Sequence, residues 1–262
     1  MKPMLTSYKS FVYKCYLGAV FIVTLLLFYI PICLFLTTTK QKKKAFRIFV
    51  FWSKLVCFMC FIRTSVHRES DTPEGPVVFV ANHTSYLDIV LMYLLFPKHP
   101  FLFLGKAELL KVPLIKTFFK KINIPVYRKS GPLSHKAFED ADRALKEGWS
   151  VILFPEGGIR ENQVPKLQPF KSGAFRLAQN NQLAIVPITF LNNYELFEDP
   201  STKNSLAKPG TAKIIVHSKV SKKEVVEQSV ETLKRNTFQT IENCLVENKV
   251  YLQNINPSER IV

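Results

Sequence analysis

Acidic residues are almost missing from the first 70 positions. Glu69 stands there alone against eleven Lys and Arg. Nine glycines and sixteen prolines in 262 residues exclude a fibrous chain. Cysteines number five and form no secreted disulfide pattern. Cys57 and Cys60 make a C-x-x-C, but it sits within the apolar run 55–62. It reads as two buried or lipid-facing thiols rather than a redox or zinc pair. No internal repeat and no low-complexity tract occurs. No G-x-S-x-G elbow is present, which excludes a serine hydrolase of lipase type.

What is present is an ordered protein, with 47% hydrophobic and 21% charged residues. Its length suits one large domain, or one domain plus an appendage. Aromatic content is high, with 22 Phe, and the net charge is +16. An anionic partner follows from that charge. The last 192 residues carry 25 basic and 19 acidic side chains, so most of the excess lies in the first quarter. That quarter also holds the longest apolar run, 15–36, which is 22 residues without a charge.

Such a run is long enough to cross a bilayer. A signal peptide fits less well, because Thr37–Thr39 and a lysine-rich cluster at 40–44 follow it and no small-residue cleavage site does. Lys2, Lys9 and Lys14 precede the run, so both flanks are basic. The positive-inside rule places both flanks on the cytoplasmic side, which a single span does not allow. Residues 45–62 are apolar and aromatic, and their two charges, Arg47 and Lys54, lie seven apart on one helical stripe. Phe46, Phe49, Phe58 and Phe61 are available for lipid or protein. The first reading is two helices dipping into the cytoplasmic leaflet, with membrane lipids as partners and the cytoplasmic face of a membrane as location. A single span, and a buried helix pair of a soluble protein, stay open. The basic excess tracks the apolar helices, and no nucleic-acid motif accompanies it, so no nucleic acid is expected as partner.

Pro73, Gly75 and Pro76 precede a compact domain. Short apolar runs at 77–80, 101–104, 124–127, 151–154, 185–190 and 212–216 read as strands. Helical spacing is found at 89–96, 108–120, 133–147, 173–180 and 221–248. Strands alternating with helices predict an α/β fold with a largely parallel sheet. The expected organisation is membrane-associated helices over 1–64, a catalytic domain over 65–250 and a tail over 251–262.

Three places carry chemistry. At Val80–Asp88 a buried strand ends, His83 follows, and Asp88 comes five positions later at a helix start. An Asp there can fix the tautomer of the His and leave its other nitrogen as a base. The plainer reading is a helix cap by Thr84 or Ser85 beside a surface His. At Phe154–Arg160 a strand runs into Gly157 and Gly158, with Glu156 before and Arg160 after. Glycine backbone there can face an anion or an oxyanion; an ordinary turn is the alternative. Lys106, Arg128, Lys129, Lys166 and Lys171 follow strands or precede a helix and can hold phosphate, though solvated surface charge explains each alone. No further ligands cluster with His83 and Asp88, so no metal is expected.

These blocks taken in order resemble the glycerolipid acyltransferase family. They are N-H-x4-D at 82–88, I-P-V-x-R at 124–128, F-P-E-G at 154–157 and I-V-P-I at 185–188. More narrowly the sequence is similar to bacterial-type 1-acyl-sn-glycerol-3-phosphate (lysophosphatidate) acyltransferases over about residues 65–220. The resemblance implies His83 and Asp88 as the catalytic pair. It implies Lys106, Arg128, Glu156, Gly157, Gly158 and Arg160 on the acceptor and its phosphate, and 185–188 on the acyl side. The reaction implied is transfer from acyl-CoA or acyl carrier protein to the sn-2 hydroxyl of lysophosphatidate, giving phosphatidate. The thioester is a co-substrate and no cofactor is implied. If the source is bacterial, the location implied is the inner membrane. One departure stands out: the usual F-P-E-G-T-R-S reads Gly158-Ile159 in place of Thr-Arg, and Arg160 lies one place later. Another lyso-lipid, such as a lyso-aminolipid, is therefore an alternative acceptor. A non-catalytic lipid-binding protein is the alternative of another class.

Overall fold

A computed structural model describes residues 4–36, 39–112, 114–128, 130–160, 163–198 and 205–251. Lys2, Lys129 and all of the expected tail at 251–262 but Tyr251 lie outside the described residues. Two long helices come first, α1 (Met4–Leu34) and α2 (Thr39–Met59). Phe61 adopts a left-handed φ of 54° and turns the chain into β1 (Ile62–Arg68). The helical part therefore stops at Met59, and the strand occupies the segment across the expected boundary at 64. Nothing in the sequence of β1 announces a strand. It is an edge strand exposed at every position but Ile62, so no alternation of apolar and polar residues marks it.

Next come β2 (Val78–Ala81), α3 (Leu87–Leu95), β3 (Phe101–Lys106), α4 (Ile115–Ile122) and β4 (Ile124–Val126). They are followed by α5 (Gly131–Lys146), β5 (Ser150–Leu153), α6 (Gly173–Asn180), β6 (Ile185–Phe190), α7 (Asn193–Leu196) and β7 (Gly210–Val216). The last two helices are α8 (Lys222–Glu227) and α9 (Val230–Glu247). The helix expected at 108–120 is divided. A 3₁₀ turn covers Ala107–Lys111, and Val112 is extended, as the residue before a proline tends to be. The helix expected at 221–248 is also two. Gln228 leaves the helical region at φ −95°, ψ 153°, and Ser229 starts α9 by accepting a bond from Thr232 N.

The seven strands form one sheet in the order β1-β7-β6-β2-β5-β3-β4. Neighbours are parallel except β6 and β7. This is the largely parallel α/β architecture the sequence predicts, with helices flanking the sheet. α5, α6 and α9 pack as one group, and α1, α2 and α3 as another. The core runs without a break from the sheet into α2. Phe46 sets its edge on Phe101 at 4.9 Å, and Phe49 stacks on Tyr93 at 5.6 Å.

α1 lies along the domain. Near its start Ser10 Oγ accepts from Ala207 N, and Lys14 Nζ donates to Ser205 O. Near its end Tyr29 hydroxyl meets Thr117 Oγ1 at 3.1 Å, and its ring meets Phe118. Between these points Trp52 Nε1 donates to Thr24 Oγ1. The outward face of α1 is apolar, including Phe11, Ile22, Val23, Leu26, Leu27 and Ile30. That of α2 alternates charge and ring: Lys44, Arg47, Phe51, Lys54 and Phe58 are exposed. Cys57 and Cys60 are buried, and burial pushes their thiols up to about 12 and about 11.

Candidate active site

Strands β6, β2, β5, β3 and β4 run in one direction, so their C-terminal ends share one edge of the sheet. Open α/β sheets bind ligands beyond that edge. His83 follows β2, Phe154–Gly158 follow β5, Lys106 ends β3, and Arg128 follows β4. The topology thus brings together residues spread over positions 83–158 of the sequence.

His83 Nδ1 lies 2.9 Å from Asp88 Oδ2. Asp88 sits in the first turn of α3 and is fully buried, while the His side chain is 11% exposed. The same Oδ2 accepts from Thr84 N at 2.9 Å and Ser85 N at 3.1 Å. Asn193 Nδ2 donates to Oδ1 at 2.6 Å. The carboxylate therefore has the donors and the helix terminus that a buried charge needs. An ionised Asp88 only accepts, so Nδ1 of His83 carries the proton and Nε2 is left to take one. Phe154 stacks on the imidazole at 4.0 Å and 16°, which fixes the ring plane. His83 is not a bystander beside a Ser or Thr cap. Ser85 Oγ does accept from Leu87 N at the start of α3 and donates to Phe197 O, but His83 beside it is held by Asp88.

Glu156 holds a different place from the substrate-facing one expected. It is buried, and its Oε1 accepts from His83 N at 2.7 Å and its Oε2 from Gln168 N at 2.9 Å. Burial raises this carboxyl to about 7, although the two backbone N–H groups and His83 pull it down. Glu156 thus clamps the His83 loop to the loop that follows β5. Gly157 is also placed differently: its N–H is used within the turn, bonding Phe154 O at 3.0 Å, rather than offered to an oxyanion. Arg160 is exposed and reaches Gln168 Oε1 at 3.4 Å, away from the cavity walls. Block 185–188 lies in β6 and is wholly buried in the sheet.

A cavity of about 460 Å³ opens at His83. Lys106, Arg128, Gly158 and Ile159 line it near the His. Apolar lining comes from four helices, with Phe21 and Leu25 of α1, Phe49 and Trp52 of α2, Val90 of α3 and Phe118 of α4. Burial lowers the pKa of the Arg128 guanidinium, and Glu108 nearby raises it. Sequence reasoning did not assign Asn193, or the contribution of α1 and α2 to this cavity. Asn193 belongs to no block, and its contact with Asp88 spans 105 positions.

Residues 63–191 match the family described as Acyltransferase. The match takes in just under half of the chain. A 1-acyl-sn-glycerol-3-phosphate acyltransferase of Chlamydomonas reinhardtii is 35% identical over 156 residues, covering 59% of this chain and 45% of that protein. A chloroplastic 1-acyl-sn-glycerol-3-phosphate acyltransferase of Arabidopsis thaliana is 26% identical over 207 residues, covering 78% and 56%. The chain spans about half the length of these curated relatives. The crystal structure of the 1-acyl-sn-glycerophosphate acyltransferase PlsC of Thermotoga maritima superposes with a TM-score of 0.74 at 21% identity. The superposition covers 92% of this chain and 97% of that one, so the fold is shared over most of the chain. His83, Asp88, Lys106, Arg128 and the 154–160 loop all fall inside the matched acyltransferase segment.

Proposed function

We propose that the protein transfers a fatty acyl group from an acyl thioester to the sn-2 hydroxyl of 1-acyl-sn-glycerol-3-phosphate, giving phosphatidate. The observation that carries this reading is the His83–Asp88 pair with His83 lining a largely apolar cavity that Lys106 and Arg128 also line. The thioester is already activated, so no nucleophilic Ser or Cys is needed. His83 Nε2 accepts the proton of the acceptor hydroxyl as its oxygen attacks the thioester carbonyl. The tetrahedral intermediate then collapses, the C–S bond breaks, and His83 returns the proton to the leaving thiolate. Asp88 keeps the imidazole in the required tautomer and stabilises its charged form. Lys106 and Arg128 attract the acceptor's phosphate and aim its hydroxyl. The apolar wall suits an acyl chain. This chemistry uses the chain's own side chains and calls for no cofactor. Acyl-CoA and acyl carrier protein are both admissible donors.

The N-terminal helices support action at a membrane. α1 is long and apolar enough to cross one. Both its ends, however, touch the domain, at Ser10 and Lys14 and again at Tyr29. A helix held flat along a domain suits burial in one leaflet better than a span. The basic and aromatic face of α2 suits the headgroup layer of anionic lipid on the cytoplasmic side.

The test is acyl transfer from oleoyl-CoA to lysophosphatidate in detergent, for wild type and His83→Ala. Activity in the wild type and a loss of about 10²–10⁴-fold in a folded mutant is the expected result. Undiminished activity in the mutant would remove His83 from the mechanism. Ile159 on the cavity wall, where the family block carries Arg, favours adding a phosphate-free lyso-lipid to the panel. Faster turnover of that acceptor would change the substrate assigned.

A further inference from the structure

A line of hydrogen bonds runs from α1 to the His83 loop. Near the start of α1, Ser10 Oγ accepts from Ala207 N at 2.6 Å. One turn on, Lys14 Nζ donates to Ser205 O at 2.7 Å and to Ser205 Oγ at 3.2 Å. Ala207 in turn forms an antiparallel bridge with Phe197. Around it Glu198 N donates to Leu206 O at 2.9 Å and Lys208 N to Leu196 O at 3.0 Å, while Glu198 Oε2 accepts from Leu206 N. Phe197 O accepts from Ser85 Oγ at 2.6 Å. Ser85 Oγ accepts from Leu87 N at the start of α3, and Ser85 N donates to Asp88 Oδ2. The line ends at the oxygen that holds His83 Nδ1. Ser10, Ser85 and Ala207 are buried, so water does not readily replace a lost partner. The other end of the loop has a separate hold. Asn82 Oδ1 accepts from Phe190 N, and its Nδ2 donates to Phe190 O. His83 thus leaves a fixed strand end, and Ser85 sets how the chain enters α3. None of Ser10, Ser85, Phe197 and Ala207 lines the cavity at His83.

We propose that α1 positions the catalytic loop, with Ser10 and Ser85 as positioning residues that act on the His83–Asp88 pair through Ala207 and Phe197. The inference rests on the acyl-transfer reading only in calling that pair catalytic. The same helix carries an outward apolar face suited to lipid, so a displacement of α1 at a membrane reaches Asp88 through directional bonds.

Hydrogen exchange and turnover, both measured on the full chain in detergent, test it. The variants are Ser10→Ala, Ser10→Thr, Ser85→Ala and the double Ser10→Ala with Ser85→Ala. For Ser10→Ala the expected result is exchange about threefold to tenfold faster at the amides of Thr84 and Ser85, which bond Asp88 Oδ2. The kcat should fall by a similar factor with KM for the acceptor unchanged. Ser10→Thr keeps the hydroxyl and should restore both. The double variant should lose less than the product of the single losses, because both substitutions break one line. Lys14→Gln loosens the same segment and takes the place of Ser10→Ala if that variant melts below the assay temperature. Faster exchange confined to residues 205–207 overturns the proposal, and so do fully multiplicative losses in the double variant. A rise in KM at constant kcat overturns it too, since the effect would then lie in binding. Faster exchange at Thr84 and Ser85, in a protein that transfers no acyl group, leaves the tie standing and removes the acyl-transfer reading alone.

Discussion

Asn193 donates to Asp88 Oδ1 at 2.6 Å, with both side chains fully buried. The bond ties the start of α7 to the first turn of α3, and so to the orientation of His83. Replacing Asn193 by Ala removes a hydrogen bond to a buried charge, which costs about 1.5–3 kcal/mol of stability. We expect a lower melting temperature and a fall in kcat of about tenfold, with KM for the acceptor unchanged. Asn193→Asp should be worse, because two carboxylates would then face each other in the core. Thermal melts and steady-state kinetics on both variants check this.

Asp88→Asn tests the tautomer argument. Its amide can present only one oxygen to the three groups that now share Oδ2. Activity should fall by about 10²–10⁴-fold while the acceptor still binds. Calorimetric binding beside turnover separates the two effects. Loss of both together would point to a collapsed loop instead.

Glu156 predicts a pH dependence of stability. Its carboxyl is raised from an ordinary 4.5 to about 7 in the folded protein. Folding therefore takes up a proton between those values. The stability it contributes is full below 4.5 and is lost as the pH rises through about 7. In Glu156→Gln that slope should disappear. The variant should also be less stable by about 1–3 kcal/mol, since a Gln cannot accept from both His83 N and Gln168 N with its single oxygen. Denaturant midpoints across that pH range, for wild type and variant, check both expectations.

The exposed face of α2 predicts lipid dependence. Replacing Lys44, Arg47 and Lys54 together by Gln should lower binding to anionic vesicles by roughly a hundredfold, at about 1 kcal/mol for each charge. Binding to neutral vesicles should change little. Flotation assays at low and high salt distinguish this from a fold defect, because only the anionic term is screened.

The cavity wall predicts chain selectivity. Leu25 of α1 lines the cavity. Leu25→Trp fills part of it and should shift preference toward shorter acyl chains, without lowering kcat for the best of them. Competition between thioesters of different length checks the shift.

Much of this site can be read from local patterns. Buried strands such as β6 are continuous apolar runs, and the His-x4-Asp spacing is set by a single strand-to-helix turn. Contacts made over long separations leave no such trace. Asn193 reaches Asp88 across the sheet edge, and Glu156 turns inward to His83 N although its block resembles a substrate loop. Edge strand β1 is likewise silent, because only Ile62 in it is buried. The sequence of α1 and α2 points to lipid rather than to a cavity. Their place in the cavity wall depends on rings such as Phe49, whose partner Tyr93 lies in another element.

The pairing of β1 with β7 has a consequence for the order of assembly. Ile62 finds its partner at Gly210, 148 positions further along the chain. On the ribosome both N-terminal helices emerge long before that partner is made. The first strand waits for the last while both helices are already complete. The sheet therefore closes only after both helices have been made, and the helices have the whole of that interval to find their own surroundings.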